Sequence, residues 1–124
     1  QNRRISFELI RVIFEMRLML TEGEGLELFR CLRCGKEEVH SVYLSEGGLI
    51  CRECAAKDKK LSKEYPIVLS ADAKYTLQYI LTSTPEKLYA FTVTDSVLNE
   101  LKRFMKSYLA RYLPHKFKTL DFIV

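Results

Sequence analysis

Apolar positions recur at helical spacing in three stretches of the chain and at strand spacing in one. From Ile5 to Leu20, the residues Ile5, Leu9, Val12, Ile13, Met16 and Leu20 share one flank of a helix, and Ile10, Phe14 and Leu18 share another. A polar stripe of Arg4, Glu8, Arg11 and Glu15 sets opposite charges one turn apart. So wide an apolar surface predicts burial on more than one side. The helix is expected at the centre of a bundle, or packed against a part of the protein beyond this chain. Thr21 to Gly25, with two glycines, ends it. Pro66 to Leu69 reads as extended, and Ser70 as the N-cap of a helix through about Leu81, with Ala73, Leu77, Ile80 and Leu81 inward. Thr84-Pro85 opens a short element ending near Phe91. Thr94 caps the most regular helix. There Val97, Leu98, Leu101, Phe104, Met105, Tyr108, Leu109 and Tyr112 keep the three/four spacing, and Pro114 is expected to stop it. That aromatic stripe reads as core rather than as a base-stacking platform.

The stretch from Phe29 to Cys54 has a different texture. Val39 to Leu44 is rich in β-branched and aromatic residues, Glu46-Gly47-Gly48 supplies a turn, and Leu49 to Cys51 returns. A β-hairpin is predicted between two cysteine pairs, followed from Ala55 to Glu64 by a charged short helix or linker. The expected fold class is mostly α: one small helical bundle over residues 1–124, with a four-cysteine zinc-finger β-hairpin inserted at about 29–55.

The cysteines carry the clearest chemistry. Cys31-Leu32-Arg33-Cys34 and Cys51-Arg52-Glu53-Cys54 are two CxxC pairs with sixteen residues between them, a spacing suited to a four-cysteine zinc site. A two-residue gap lets both sulfurs of one tight knuckle reach a single ion at about 2.3 Å, and a hairpin brings the second pair opposite. Gly35 suits the turn of such a knuckle. Four thiolates leave no position for an activated water, so the expected ion is one structural zinc. Metal binding is expected to fold the hairpin, and chelation to unfold it while the helices stand. Iron in a rubredoxin-like site shares the spacing. Two disulfides would need export, which nothing marks. A redox-active pair would need a thiol at a helix N-terminus, and neither pair begins an evident helix. His40 lies inside the hairpin and reads as a surface strand residue rather than a ligand. His115 reads as a surface histidine.

Length and composition narrow the picture further. The chain has 124 residues, 48% apolar and 29% charged, which suits one folded domain. It begins at Gln1 rather than Met and reads as a piece cut from a larger protein. Arg11, Glu15 and Arg17 interrupt its longest apolar run, so no membrane span is expected. The formal charge is +4, and a zinc held by four thiolates would lower it by two. Placement matters more than the total. Lys102, Arg103, Lys106, Arg111, Lys116 and Lys118 fall in one run without an acid, and Lys57, Lys59, Lys60 and Lys63 follow the last cysteine. Either run fits phosphate contacts or a solvated face. No glycine-rich phosphate loop is present, and neither histidine sits in a motif with a nucleophile, so no enzyme is expected.

In order, the chain carries CLRCG, SEGGLIC, CREC, YPIVLS, TPEKLYAF, VLNELKRFMKSYLARYL and HKFKTLDFI. This succession resembles the C-terminal portion of the bacterial recombination mediator family RecO, over nearly all of the chain. The resemblance implies an α-helical domain with a zinc-finger insertion whose ligands are Cys31, Cys34, Cys51 and Cys54, and a family N-terminal OB-fold that this sequence lacks. It further implies DNA repair by homologous recombination. Such a mediator is cytoplasmic, nucleoid-associated and SOS-independent, binds single- and double-stranded DNA, anneals strands, and with RecR loads RecA onto strands coated by single-strand-binding protein. The family's helical domain also receives that protein's acidic tail. Such a tail wants an apolar slot rimmed by cations, and Arg103, Arg111, Lys116 and Lys118 are the expected rim, beside Phe104, Tyr108, Tyr112 and Phe117. An unrelated zinc-ribbon interaction module is the competing reading, and a thiol oxidoreductase a third.

Overall fold

The computed structural model describes residues 7–88 and 92–116. In chain order they form α1 (Phe7–Thr21), β1 (Ser41–Tyr43), β2 (Gly48–Leu49), α2 (Arg52–Ala56), a single 3-10 turn (Leu61–Lys63), β3 (Ile67–Val68), α3 (Ala71–Thr82), α4 (Pro85–Leu88) and α5 (Asp95–Lys116). Helices α1, α3 and α5 pack against one another, and a three-stranded sheet of order β2-β1-β3 lies beside them. The mostly helical class and the inserted hairpin are as the patterning predicts.

Helix ends follow local chemistry. Gly23, at φ +83°, closes α1: its N–H meets the Leu20 carbonyl and the Glu24 N–H meets that of Met19. Ser70 Oγ accepts from the Ala73 N–H at 3.1 Å and starts α3. The Glu100 carboxylate of α5 holds Ser70 in place by accepting from its N–H at 2.8 Å and its Oγ at 2.7 Å. Thr94 Oγ1 accepts from the Val97 N–H at the start of α5. Pro114 does not stop α5, which runs two residues past it to Lys116. A proline removes one amide bond and crowds one earlier carbonyl, a smaller loss in a final turn than mid-helix. The expected end of the α4 element near Phe91 lies outside the described residues.

Core placement matches the periodicity in α3 and α5 better than in α1. Ala73, Leu77 and Ile80 are buried, as are Val97, Leu101, Phe104, Met105 and Tyr108. In α1 a single stripe, Leu9, Val12, Met16 and Met19, is buried, whereas Phe7 and Phe14 are 84% and 63% exposed. The expected burial on several sides is therefore confined to one side. Arg17 of α1 reaches the last turn of α3, donating to the carbonyls of Ile80 and Ser83 at 3.0 and 3.1 Å, where cations suit the helix dipole. No described helix is long and apolar enough to cross a membrane.

The sheet differs from a free-standing hairpin. Both strands are shorter than expected, and the extended Ile67–Val68 segment joins them as β3, pairing antiparallel with β1. Glu27 adds a bridge on the other side, to Gly48, and a Cβ at Gly48 would lie 2.6 Å from the Glu27 carbonyl oxygen. Only glycine allows that approach. Val39, Val42, Tyr43, Leu49 and Ile50 are buried in the same apolar cluster as the helices. The hairpin is thus not a separate appendage. Tyr112 of α5 donates to the Leu44 carbonyl, and Tyr108 to that of Glu24, each at 2.6 Å.

Candidate metal centre

The first knuckle is a tight turn. The Cys31 N–H donates to the Lys36 carbonyl, the Gly35 N–H returns to the Cys31 carbonyl, and Gly35 sits at φ +80°. A side chain there would be strained. The second knuckle is the start of a helix: Cys51 is the N-cap of α2, and its Sγ accepts from the Cys54 N–H at 3.5 Å. The expectation that neither pair begins a helix is therefore corrected. α2 has only five residues, too little periodicity for sequence patterning to reveal.

The fold brings all four sulfurs together. Cys31, Cys34, Cys51 and Cys54 lie with their Sγ atoms within 4.8 Å of one another, and Cys34 Sγ is 3.6 Å from Cys51 Sγ. Four sulfurs at about 2.3 Å from one tetrahedral ion would be about 3.8 Å apart. The donor set therefore fits a single thiophilic cation. It does not form disulfides: all four cysteines are free.

Backbone amides aim at the cluster. Cys31 Sγ accepts from the Arg33 N–H at 3.4 Å and from the Cys51 N–H at 3.3 Å. Burial pushes the Cys31 thiol up, but the amides of Cys34, Cys51 and Arg33 outweigh it and bring it down to about 6. Cys54 moves the other way, to about 12, because its contact with Cys51, then desolvation and its contacts with Cys34 and Cys31 favour the protonated form. Without a cation, the Cys31 thiolate is favoured and the Cys54 thiolate opposed. A divalent cation removes that opposition, which is why metal binding to such a cluster releases protons.

Outside the sulfurs, Arg33 ties the site to its surroundings. Its guanidinium donates to Asp58 at 2.8 Å, beyond α2, and to Glu46 at 3.2 Å, in the hairpin turn. Asp58 also accepts from the N–H groups of Lys60 and Leu61, and its carboxyl is held below the usual range, chiefly by Arg33. Sequence reasoning did not single out Arg33. Its position inside the first CxxC was visible, but its partners lie thirteen and twenty-five residues away. His40 is not in the sulfur cluster; it precedes β1 and is half-buried, with Nδ1 enclosed, so it is not a plain surface residue.

The basic run is divided. Lys102, Arg103, Lys106 and Arg111 are exposed on α5, with Lys102 3.7 Å from Glu8. The Lys116 side chain and the whole of Lys118 lie outside the described residues. Phe104 and Tyr108, expected beside that rim, face the core instead and cannot line an open slot.

Comparison with known proteins fits this arrangement. Residues 5–121 match the family described as Recombination protein O C terminal. The chain belongs to the RecO family. A DNA repair protein RecO of Acetivibrio thermocellus is 34% identical over 122 residues, covering 97% of this chain and 46% of that protein. The RecO of Desulforamulus reducens is 29% identical over 119 residues, covering 94% and 44%. That of Clostridium kluyveri is 27% identical over 128 residues, covering 99% and 46%. The chain thus spans about half the length of these RecO relatives. The match sets aside the unrelated zinc-ribbon module. No solved structure matches the chain at a significant level.

Proposed function

We propose that this chain is the helical and zinc-binding half of a non-enzymatic DNA repair mediator. The observation that carries the reading is the RecO family match over residues 5–121, in a chain whose four cysteines converge on one point. In this reading Cys31, Cys34, Cys51 and Cys54 hold one zinc ion, which supplies a cross-link between the two knuckles. Four thiolates fill its coordination, leaving no site for water activation. The whole protein anneals DNA strands in the cytoplasm and, with RecR, helps load RecA onto strands coated by single-strand-binding protein.

The outward cations of α5 support a contact with phosphate or an acidic tail. Arg103 and Arg111 are exposed on α5, while the buried apolar residues of the helix are turned inward. Lys116 and Lys118 extend the same run in sequence. Such contacts weaken with salt, because bound phosphates release counterions.

Metal analysis and DNA titration test the reading together. One zinc per chain is expected, with binding of single-stranded DNA that weakens in Arg103→Glu/Arg111→Glu and shows a shallower salt dependence. Pull-downs with RecR and single-strand-binding protein complete the test. Protein free of metal and indifferent to DNA and both partners would overturn it.

A further inference from the structure

A hollow lined by none of the four cysteines lies where the segment leading into β1 meets α3. It is an open cleft of about 420 Å³, within the range of roughly 300–1,000 Å³ typical of small-ligand sites. Phe29, Arg30, Glu37, Glu38, His40, Lys74, Tyr75 and Gln78 contribute to its walls. Two of its polar side chains are held in place by hydrogen bonds. Lys74 is only 8% exposed and spends one of its three N–H donors on the Glu37 carbonyl at 2.7 Å. Gln78 spends one amide N–H on the Leu28 carbonyl at 2.8 Å, which leaves its carbonyl oxygen as an acceptor. His40 Nδ1 is enclosed with no hydrogen-bond partner among the described residues.

The charges select the ligand. Arg30 and Lys74 oppose a cation inside the cleft, and Glu37 and Glu38 oppose an anion there, so any phosphates of the ligand stay outside it. The residues that remain favourable together suit a neutral, planar group bearing donors and acceptors on its edge. Lys74 offers donors, Gln78 and the two carboxylates offer acceptors, and Tyr75 offers a ring. Tyr75 is 66% exposed and is backed by Tyr79, its ring centroid 6.5 Å away at 26°. A helix surface gains little from holding two tyrosines in that way, but a stacking ligand gains a braced platform.

We propose that this cleft takes an unstacked base of single-stranded DNA, with Tyr75 as the stacking platform and Lys74 and Gln78 reading the base edge. The proposal rests on the DNA-binding reading above and adds a site to it: the α5 cations attract the backbone, and the α3 cleft holds a base.

The test is anisotropy titration of the full chain with a short labelled single strand and with a duplex of the same sequence. Tyr75→Ala should weaken single-strand binding about 5- to 100-fold, the span for one stacked base, and leave duplex binding unchanged, since a paired base stays in its stack. Tyr75→Phe, which keeps the ring, should bind like wild type. Tyr65→Ala, which removes a 97% exposed tyrosine outside the cleft, should also change nothing. A 2-aminopurine in the strand should change its fluorescence on binding wild type but not Tyr75→Ala. Single-strand binding undiminished by Tyr75→Ala overturns the cleft alone, as does an equal loss on duplex. Failure of wild type to bind either DNA overturns both the cleft and the DNA-binding reading.

Discussion

Around Leu77 and Leu101 the inward positions carry hydrocarbon, whereas around Cys31 and Cys51 the inward atoms are sulfur and backbone amide. Both regions hold fully enclosed groups, yet they do so by different physics. The α1–α3–α5 trio gains from the area of apolar surface removed from water, a term that acts without regard to direction. The knuckles gain from a few directed contacts that tolerate no substitution of kind: a serine has the size of a cysteine but not its affinity for a thiophilic ion. The first region should fail gradually under mutation, and the second all at once.

Metal removal should give the largest effect. Chelation or Cys31→Ser should abolish zinc binding and free the amides of Leu32–Lys36 and Cys51–Lys57, with a loss on the order of the 10 kcal/mol that structural zinc sites supply. Amides of α3 and α5 should stay protected. Hydrogen exchange with and without a chelator reads both regions. Knuckle protection that survives metal loss breaks the contrast, and so does collapse of α5. Because Val42, Leu49 and Ile50 share the helical core, β1 and β2 should loosen less than the knuckles do.

Next in size is Leu101→Ala, in the helical region. Leu101 is fully buried in α5, so truncation should cost about 2–5 kcal/mol in denaturant unfolding while zinc stoichiometry stays at one. Loss of the metal in that variant would mean that the two regions fold as one unit.

A smaller change probes the seam. Tyr112→Phe removes the bond to the Leu44 carbonyl and should cost about 1 kcal/mol. Its neighbour Tyr108 adds a pH signature. Burial, then Tyr112 and Glu24, push its phenol above the ordinary tyrosine range in the folded state. The stability this represents is intact below pH about 10 and lost as pH rises beyond it, because the unfolded chain ionises first. Thermal melts through the alkaline range should show that decline, whereas a flat profile would place Tyr108 outside the stabilising seam.

The smallest effect expected is on stability in Arg33→Met. Its ion pairs with Asp58 and Glu46 are partly exposed and screened by solvent, so the denaturant midpoint should barely move. Zinc release to a competing chelator should nonetheless quicken, because Arg33 joins the first knuckle to both flanking segments. Equal release rates would confine Arg33 to the surface.

Much of this contrast is legible in the chain. The two CxxC pairs announce the four sulfurs that the fold brings together, and the spacing of Leu101, Phe104, Met105 and Tyr108 announces a buried face. Less legible is where an apolar flank goes unused. Phe14 reads like Met16 in hydropathy, yet one is exposed and the other enclosed, since only the placement of α3 and α5 decides which flank of α1 is covered. The same limit hides Lys74. A lysine in the first turns of a helix reads as solvated, and here the Glu37 carbonyl, thirty-seven residues earlier, allows it to be buried.

The sequence by itself determined the helical periods, the caps at Ser70 and Thr94, and the identity of the four sulfurs, because each depends on neighbours a few residues apart. Tertiary structure alone decided that Ile67–Val68 becomes a third strand, that the Arg33 guanidinium spans two segments, and that Phe104 and Tyr108 turn away from the basic run. Those outcomes depend on which distant backbone groups and surfaces meet, and no local period encodes that meeting.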